Sequence, residues 1–301
     1  MSTQITTAFV EQYSANVQHL VQQKGSRLRG AVRYETVRGK NAFFEQIGST
    51  AAQQRTSRHA DTPRMDTPHA RRRVSLTDYD WADLIDDPDK IRMLIDPASP
   101  YATAAMWAMG RAMDTVLIDA MDGTAYTGVA GGTSTVYDTA NTVSVTTRDI
   151  GVSSANYGLN VAKLIEAKKI LDANDVDPDE PRHLIVPARQ ISSLLNTTKV
   201  TSADYNTVRA LVEGKIDTFM GFKFHRTQLV ETDANSYDKC VFWAQSGMLL
   251  AVGAEPMVDI GPRRDKNNAT QVFVSMTIGA TRMEEKKVGY IECHASNGPG
   301  A

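Results

Sequence analysis

Residues 159–196, LNVAKLIEAKKILDANDVDPDEPRHLIVPARQISSLLN, carry the reading that decides the fold. Asn160 stands just before an apolar-periodic run and can cap it, because a short polar side chain accepts from the orphan amides of a first helical turn. Leu159 and Leu164 flank that position as a hydrophobic staple, and the run stops near Asn174. An acidic turn then leads into His183–Val186, a short continuous apolar run of the kind that forms a strand buried on both faces. Ala188–Asn196 returns to helical spacing. Helix, strand and helix in so short a span describe an α/β unit, which the flanking sequence extends over residues 151–260.

Downstream, Thr201 and Asp204 are placed to open a further helix that stops at Gly214. Strands follow at Thr218–Arg226 and Cys240–Ala244, with apolar residues continuing from Met248 to Val252. Gln271–Ile278 and Lys286–His294 supply two more. Upstream, the clearest helix runs from Ser99 as cap, through Pro100 in the first helical position, to Asp122, with Gly123 ending it. Ala102, Ala105, Met106, Met109, Met113, Val116, Leu117 and Ala120 give it a broad stripe that reads as core. Residues 124–146 read as short strands and turns. The expected class is α+β, with 82–150 and 261–301 forming one discontinuous domain around the insertion 151–260.

The N-terminal third is different in kind. Thr7–Lys24 places Phe9, Tyr13, Val17, Leu20 and Val21 on one helical face, an amphipathic arm that needs a surface to dock on. Arg29–Ile47 and Arg71–Trp81 are extended runs. Between them, residues 48–70 (GSTAAQQRTSRHADTPRMDTPHA) offer Met65 as the only large apolar side chain. A tip with no core-forming residues makes a hairpin that is marginal alone, so residues 31–81 are expected to reach away from their own core toward another surface. A loose surface loop is the plainer alternative.

The chain has 301 residues, 42% apolar and 23% charged, with a net charge of −2, which suits a folded protein and not a disordered one. No run approaches the roughly 18–20 consecutive apolar residues of a membrane span, and no membrane partner is expected. The first 23 residues hold no Lys or Arg, so a secretory start is not expected. Cys240 and Cys293 sit in strand-like runs and read as two buried thiols in a reducing cytoplasm. Charge is sharply segregated: residues 24–73 carry twelve basic residues against four acids, and residues 74–122 carry ten Asp against three basic residues. Blocks of opposite sign favour protein–protein complementarity over nucleic-acid binding by the basic block.

Catalytic patterns are missing. Gly39-Lys40 lacks the remainder of a phosphate-binding loop, and HExxH, CxxC and GxSxG do not occur. The run Asp78, Asp80, Asp83, Asp86, Asp87, Asp89 fails the calcium-loop template at Ala82 and Asp83, and Asp172, Asp175, Asp177, Asp179 fail it at Val176. Of six scattered histidines, His183 and His225 lie at strand edges where a fold could bring them together, as a structural pair before a catalytic one. Neither cofactor nor metal is expected, and the chain does not read as an enzyme.

The stretch 159–196 resembles the tailed-phage major capsid family with the HK-ninety-seven fold, through AKKILD, the acidic turn, RHLIVPA and the short LL helix. GKIDTFMGFKFHRTQLV (214–230), CVFWAQSGMLLAVG (240–253) and VSMTIGATRMEEKKVGYIECHA (274–295) continue the likeness in family order. The resemblance implies an N-terminal arm at 1–30, an E-loop hairpin at 31–81, a peripheral domain with its spine helix at 99–122, an axial domain at 151–260, and peripheral return strands at 261–301. It implies self-assembly as hexamers and pentamers into an icosahedral head around double-stranded DNA. A portal, decoration proteins and a separate scaffold protein are the implied partners, the scaffold because no long scaffolding segment opens this chain. Subunit contacts are then expected at Arg55, Arg58, Arg64, Arg71, Arg72 and Arg73 of the hairpin, at Asp78, Asp80 and Asp83 of an adjacent copy, and at Arg263, Arg264 and Lys266 of the loop 262–268. No Lys lies between Asn41 and Asp89, so the hairpin-lysine cross-link of some relatives is not expected. The resemblance implies assembly in a bacterial cytoplasm and residence in the virion. An encapsulin-like compartment shares the fold and is the nearer alternative; a soluble DNA-binding protein using residues 24–73 is the more distant one.

Overall fold

A computed structural model describes residues 20–59, 61–62, 64–86, 98–148, 155–196 and 218–296. The helices expected over 7–24 (up to residue 19) and 201–214, and Asp87 and Asp89 of the acidic run, lie outside the described residues. Among those described, two compact units form: a smaller one from 20–26, 78–86, 98–112 and 254–277, and a larger one from the rest.

The larger unit is built on a six-stranded sheet. Its strands are β7 (Thr142–Val143), β8 (Arg182–Val186), β9 (Thr218–Phe219), β10 (Phe222–Arg226), β11 (Tyr237–Ala244) and β14 (Val288–His294), in the order β7-β14-β11-β8-β10-β9. All five residues of β8 are buried, which explains why Leu184, Ile185 and Val186 follow one another without alternation, while Arg182 at the strand's start is paired with Asp172. Helix α2 (Val161–Ala173) and helix α3 (Ala188–Leu195) contribute Leu164, Ala167, Leu171, Ile191 and Leu194 to a core shared with Leu184, Phe222, Phe242 and Ile291. Asn160 caps α2 as its sequence position predicts, its side chain accepting from the Lys163 amide at 2.9 Å. Lys163 itself is fully buried, and its ammonium donates to the carbonyls of Tyr157 and Glu292 at 2.8 and 2.7 Å. Both cysteines are free and buried.

Also in this unit, β1 (Arg33–Thr36) pairs in parallel with the first residues of β12 (Met248–Arg263). A second sheet, β2-β3-β5-β6, comprises β2 (Asn41–Ile47), β3 (His69–Ser75), β5 (Ala125–Thr127) and β6 (Thr133–Thr135). β2 and β3 form the antiparallel stem of the expected hairpin, paired from Asn41↔Ser75 to Ile47↔His69.

In the smaller unit, β4 (Thr77–Ile85) lies beside β13 (Ala269–Arg282), which lies beside the outer length of β12. Helix α1 spans Ala98–Asp122. Its first half receives residues 22–25: Arg111 donates to the Gln22 side chain and the Gln23 carbonyl, and Lys24 sits over the Trp107 ring. Gly110 permits this approach, because a Cβ there would fall 2.5 Å from the Gly25 Cα.

Residues 261–301 do not act as one block. β13 enters the smaller unit, whereas β14 pairs with β11 in the six-stranded sheet of the larger one, from Tyr237↔His294 to Trp243↔Val288. Strand partners are non-local, so chain order alone groups these two strands misleadingly.

Candidate assembly surface

The hairpin stem presents two faces with different chemistry. Register aligns Phe43, Arg73 and Tyr126 on one face and Phe44, Arg72 and Thr127 on the other. The sequence expectation treated Arg71, Arg72 and Arg73 alike; strand alternation separates them.

Arg72 turns inward and is only 5% exposed. Its guanidinium donates to the Met283 carbonyl at 3.0 and 3.2 Å and pairs with Glu285 at 3.2 Å. Burial is the largest influence on this group and lowers its proton affinity, while Glu285 opposes the loss. Glu285 also receives Arg282 at 2.7 Å. Arg282 is fully buried; its Nη1 donates to the carbonyls of Ala120, Met121 and Gly123 at the end of α1, and its Nη2 to the Thr135 carbonyl. One carboxylate therefore bridges an arginine that fixes the stem to one that caps the helix end. Val74 adds apolar contact on this face with Leu249, Ala251 and Met283. Arg72 serves its own chain, which corrects its assignment to a neighbour contact.

Arg71 and Arg73 point outward. Arg71 lies over the Phe43 ring, 5.7 Å from its centre, and pairs with Glu45 at 2.6 Å. That bond holds the Glu45 carboxyl below its usual range. Arg73 lies 4.5 Å from the centre of the Tyr126 ring. Around them a recess of about 440 Å³ is lined by Glu45, His69, Ala70, Arg71, Gly128 and Val129. Val129 is 86% and Ile47 70% exposed, and Phe43 and Tyr126 are also exposed. A sheet face of aromatic, aliphatic and guanidinium groups has the composition of the centre of a protein interface, not of a solvated surface.

The remaining expected contact residues are exposed, Arg263 only in part. Arg55 folds back on the carbonyls of Ser57 and Arg58 at the hairpin tip, and Arg58 and Arg64 lie in the same exposed tip. On β4, Asp78, Asp80 and Asp83 all face solvent; Asp78 accepts from the Thr277 hydroxyl at 2.6 Å and Asp83 from the Leu84 amide at 2.8 Å. In the turn between β12 and β13, Arg263 is engaged by Asp265, whose carboxyl it holds down at about 2, while Arg264 and Lys266 are exposed.

His183 and His225 do converge, Nδ1 to Nε2 at 3.0 Å. Asp172, Asp175 and Asp177 share a recess of about 570 Å³ with Lys168 and Arg182, and Arg182 pairs with Asp172 at 2.7 Å, so the acids there are met by bases. Among the described residues no group of three or more His, Cys, Asp or Glu is arranged to hold a metal ion. No described helix is long and apolar enough to cross a membrane.

The sequence matches the phage capsid protein family over residues 5–295. No curated protein matches it. Its fold is similar to the capsid of the cyanophage P-SCSP1u (15% identity, TM-score 0.72, covering 99% of this chain and 96% of that one). It is also similar to the capsid of Ralstonia phage GP4 (11%, 0.76, 96% of both) and to the capsid of a native GTA particle (12%, 0.70, 96% of both).

Proposed function

The chain belongs to the phage capsid protein family and is a major capsid protein of the phage head shell, and from that premise we propose how its copies hold one another. The outer face of the hairpin stem docks on an adjacent copy, with Arg71 and Arg73 set against Asp78, Asp80 and Asp83 of that copy's β4. The observation that carries this reading is the pair of outward arginines laid over Phe43 and Tyr126 beside exposed Ile47 and Val129. Apolar area there supplies affinity, and the charges set register and partner choice.

In the same reading residues 1–30 tie further neighbours, 151–260 surround the capsomer axis, and Arg264 and Lys266 of the β12–β13 turn meet other copies at the periphery. Hexamers and pentamers close the shell around double-stranded DNA, which is contacted non-specifically. A separate scaffold protein guides closure, a portal replaces one pentamer, and decoration proteins add to the outside. The role is structural throughout, without cofactor or catalysis. Many modest contacts per subunit, repeated around a closed lattice, give stability that no single contact has.

Trypsin tests the hairpin's part. Free subunits are expected to be cut at Arg55, Arg58 or Arg64, where the exposed tip has no apolar anchor except half-exposed Met65. Assembled particles are expected to resist at those bonds. Equal cleavage rates in the two states would remove the hairpin from the lattice contacts.

A further inference from the structure

A buried imidazole and a half-buried one in the larger unit have no part in the docking described above. His183 on β8 and His225 on β10 are joined Nδ1 to Nε2 at 3.0 Å. The indole of Trp243 stacks on both rings, with centres 5.5 and 6.1 Å away. A hydrogen bond between two imidazoles needs one N–H and one lone pair, so the bond is intact only while the facing nitrogens share a single proton. The other ring nitrogen of His183, Nε2, is buried with no hydrogen-bond partner among the described residues.

The segment 27–31 is bound directly to this cluster. The main chain of Arg27 hydrogen-bonds the His225 ring, and the Ala31 carbonyl accepts from the Trp243 indole at 2.8 Å. The amides of Arg27 and Leu28 donate to the Asp114 carboxylate at 2.9 and 3.2 Å, and the Arg27 guanidinium reaches the Arg226 carbonyl. Leu28 and Ala31 are buried beneath.

We propose that the His183–His225 pair is a proton-operated latch on the segment Arg27–Ala31, closed while both rings are neutral and opened when the pair takes up protons. A charged pair cannot keep its internal bond once both facing nitrogens carry hydrogen, and it needs water that only withdrawal of the segment admits. The groups facing the pair are Lys223 on β10, Glu180 before β8, Asp114 on α1 and Arg27 on the segment itself. Burial is the largest influence on His183 and lowers it from 6.5 to about 4; His225 and Lys223 push the same way, and Glu180 opposes them. Burial also lowers His225, with Lys223 adding and Asp114 and Arg27 opposing.

Both shifts are downward in histidines, so the closed state prefers the neutral rings. The latch is fully closed above about pH 6.5 and weakens as pH falls toward about 4. Through His183 alone the opening equilibrium gains on the order of 100-fold by about pH 4.5. Because segment 27–31 leads into the arm that the proposed function assigns to neighbour ties, acid would free the arm's root. The latch itself is read without any assembly.

Hydrogen exchange on the full-length subunit tests it. The Arg27 and Leu28 amides are expected to lose protection by on the order of 100-fold between about pH 7.5 and pH 4.5, after correction for intrinsic exchange, while core amides of β11 stay protected. His183→Phe keeps the stack on Trp243 and leaves Asp114 in place, and is expected to hold the segment closed at the lower pH. Opening that persists equally in His183→Phe would show that His183 does not operate the segment and overturn the proposal, as would unchanged wild-type protection. Should the variant fold poorly, exchange at the imidazole C2 positions of wild type decides. A His183 midpoint near 4 supports the latch, and one near 6.5 overturns it.

Discussion

Replacing Glu285 with alanine is expected to cost about 3 kcal/mol of folding stability, because it strands two buried guanidinium groups at once. Arg282 is fully enclosed and Arg72 nearly so, and Glu285 is the carboxylate both reach, at 2.7 and 3.2 Å. Glu285 retains some exposure, which places the figure at the low end for a broken buried pair. Glu285→Gln keeps a hydrogen-bonding oxygen without the charge and is expected to recover part of the loss. Urea unfolding of the unassembled subunit measures both. A change below about 1 kcal/mol for Glu285→Ala would show that water compensates the arginines and that this carboxylate does not organise the stem and helix end.

The second large effect concerns assembly and not folding. Arg71→Glu combined with Arg73→Glu should leave a folded subunit, since both side chains face outward and their strand pairs through the main chain. Reversing two partly exposed charges at a contact changes its free energy by about 3 kcal/mol, on the order of 100-fold in association, and a closed lattice repeats that at every copy. Particle yield is therefore expected to collapse. Asp78→Arg with Asp80→Arg in the same chain should restore it, and the restoration identifies β4 as the partner surface. Sedimentation of the lysate's particles against free subunits reads the outcome. Loss without restoration would place the arginine stem against some other surface.

Much of this was legible from local signals. Asn160, Leu159 and Leu164 announce α2 at the right residue because capping and stapling act within one turn. Gly123 marks the end of α1 for the same reason, although the helix starts at Ala98, ahead of the expected Ser99 cap, and a tip holding only Met65 reveals the hairpin by what it lacks. What escaped is what strand pairing decides. The division of Arg71, Arg72 and Arg73 between two faces follows from period-two alternation once the stem is recognised, and could have been read from Val74 entering the core on the face it shares with Arg72. No such signal marked Glu285 as the partner of Arg72, more than two hundred positions away, or sent β14 to β11. The strand-edge positions of His183 and His225 suggest that they can meet, yet the indole and the segment 27–31 that complete their surroundings come from distant chain and leave no local trace.

Imaging assembled particles by cryo-electron microscopy at side-chain detail tests the central claim most directly. The account predicts closed shells in which each hairpin stem lies across an adjacent copy, with density joining Arg71 and Arg73 to that copy's Asp78, Asp80 or Asp83. Shells in which the outer face of the stem, with Phe43, Tyr126 and Val129, is open to solvent would contradict it.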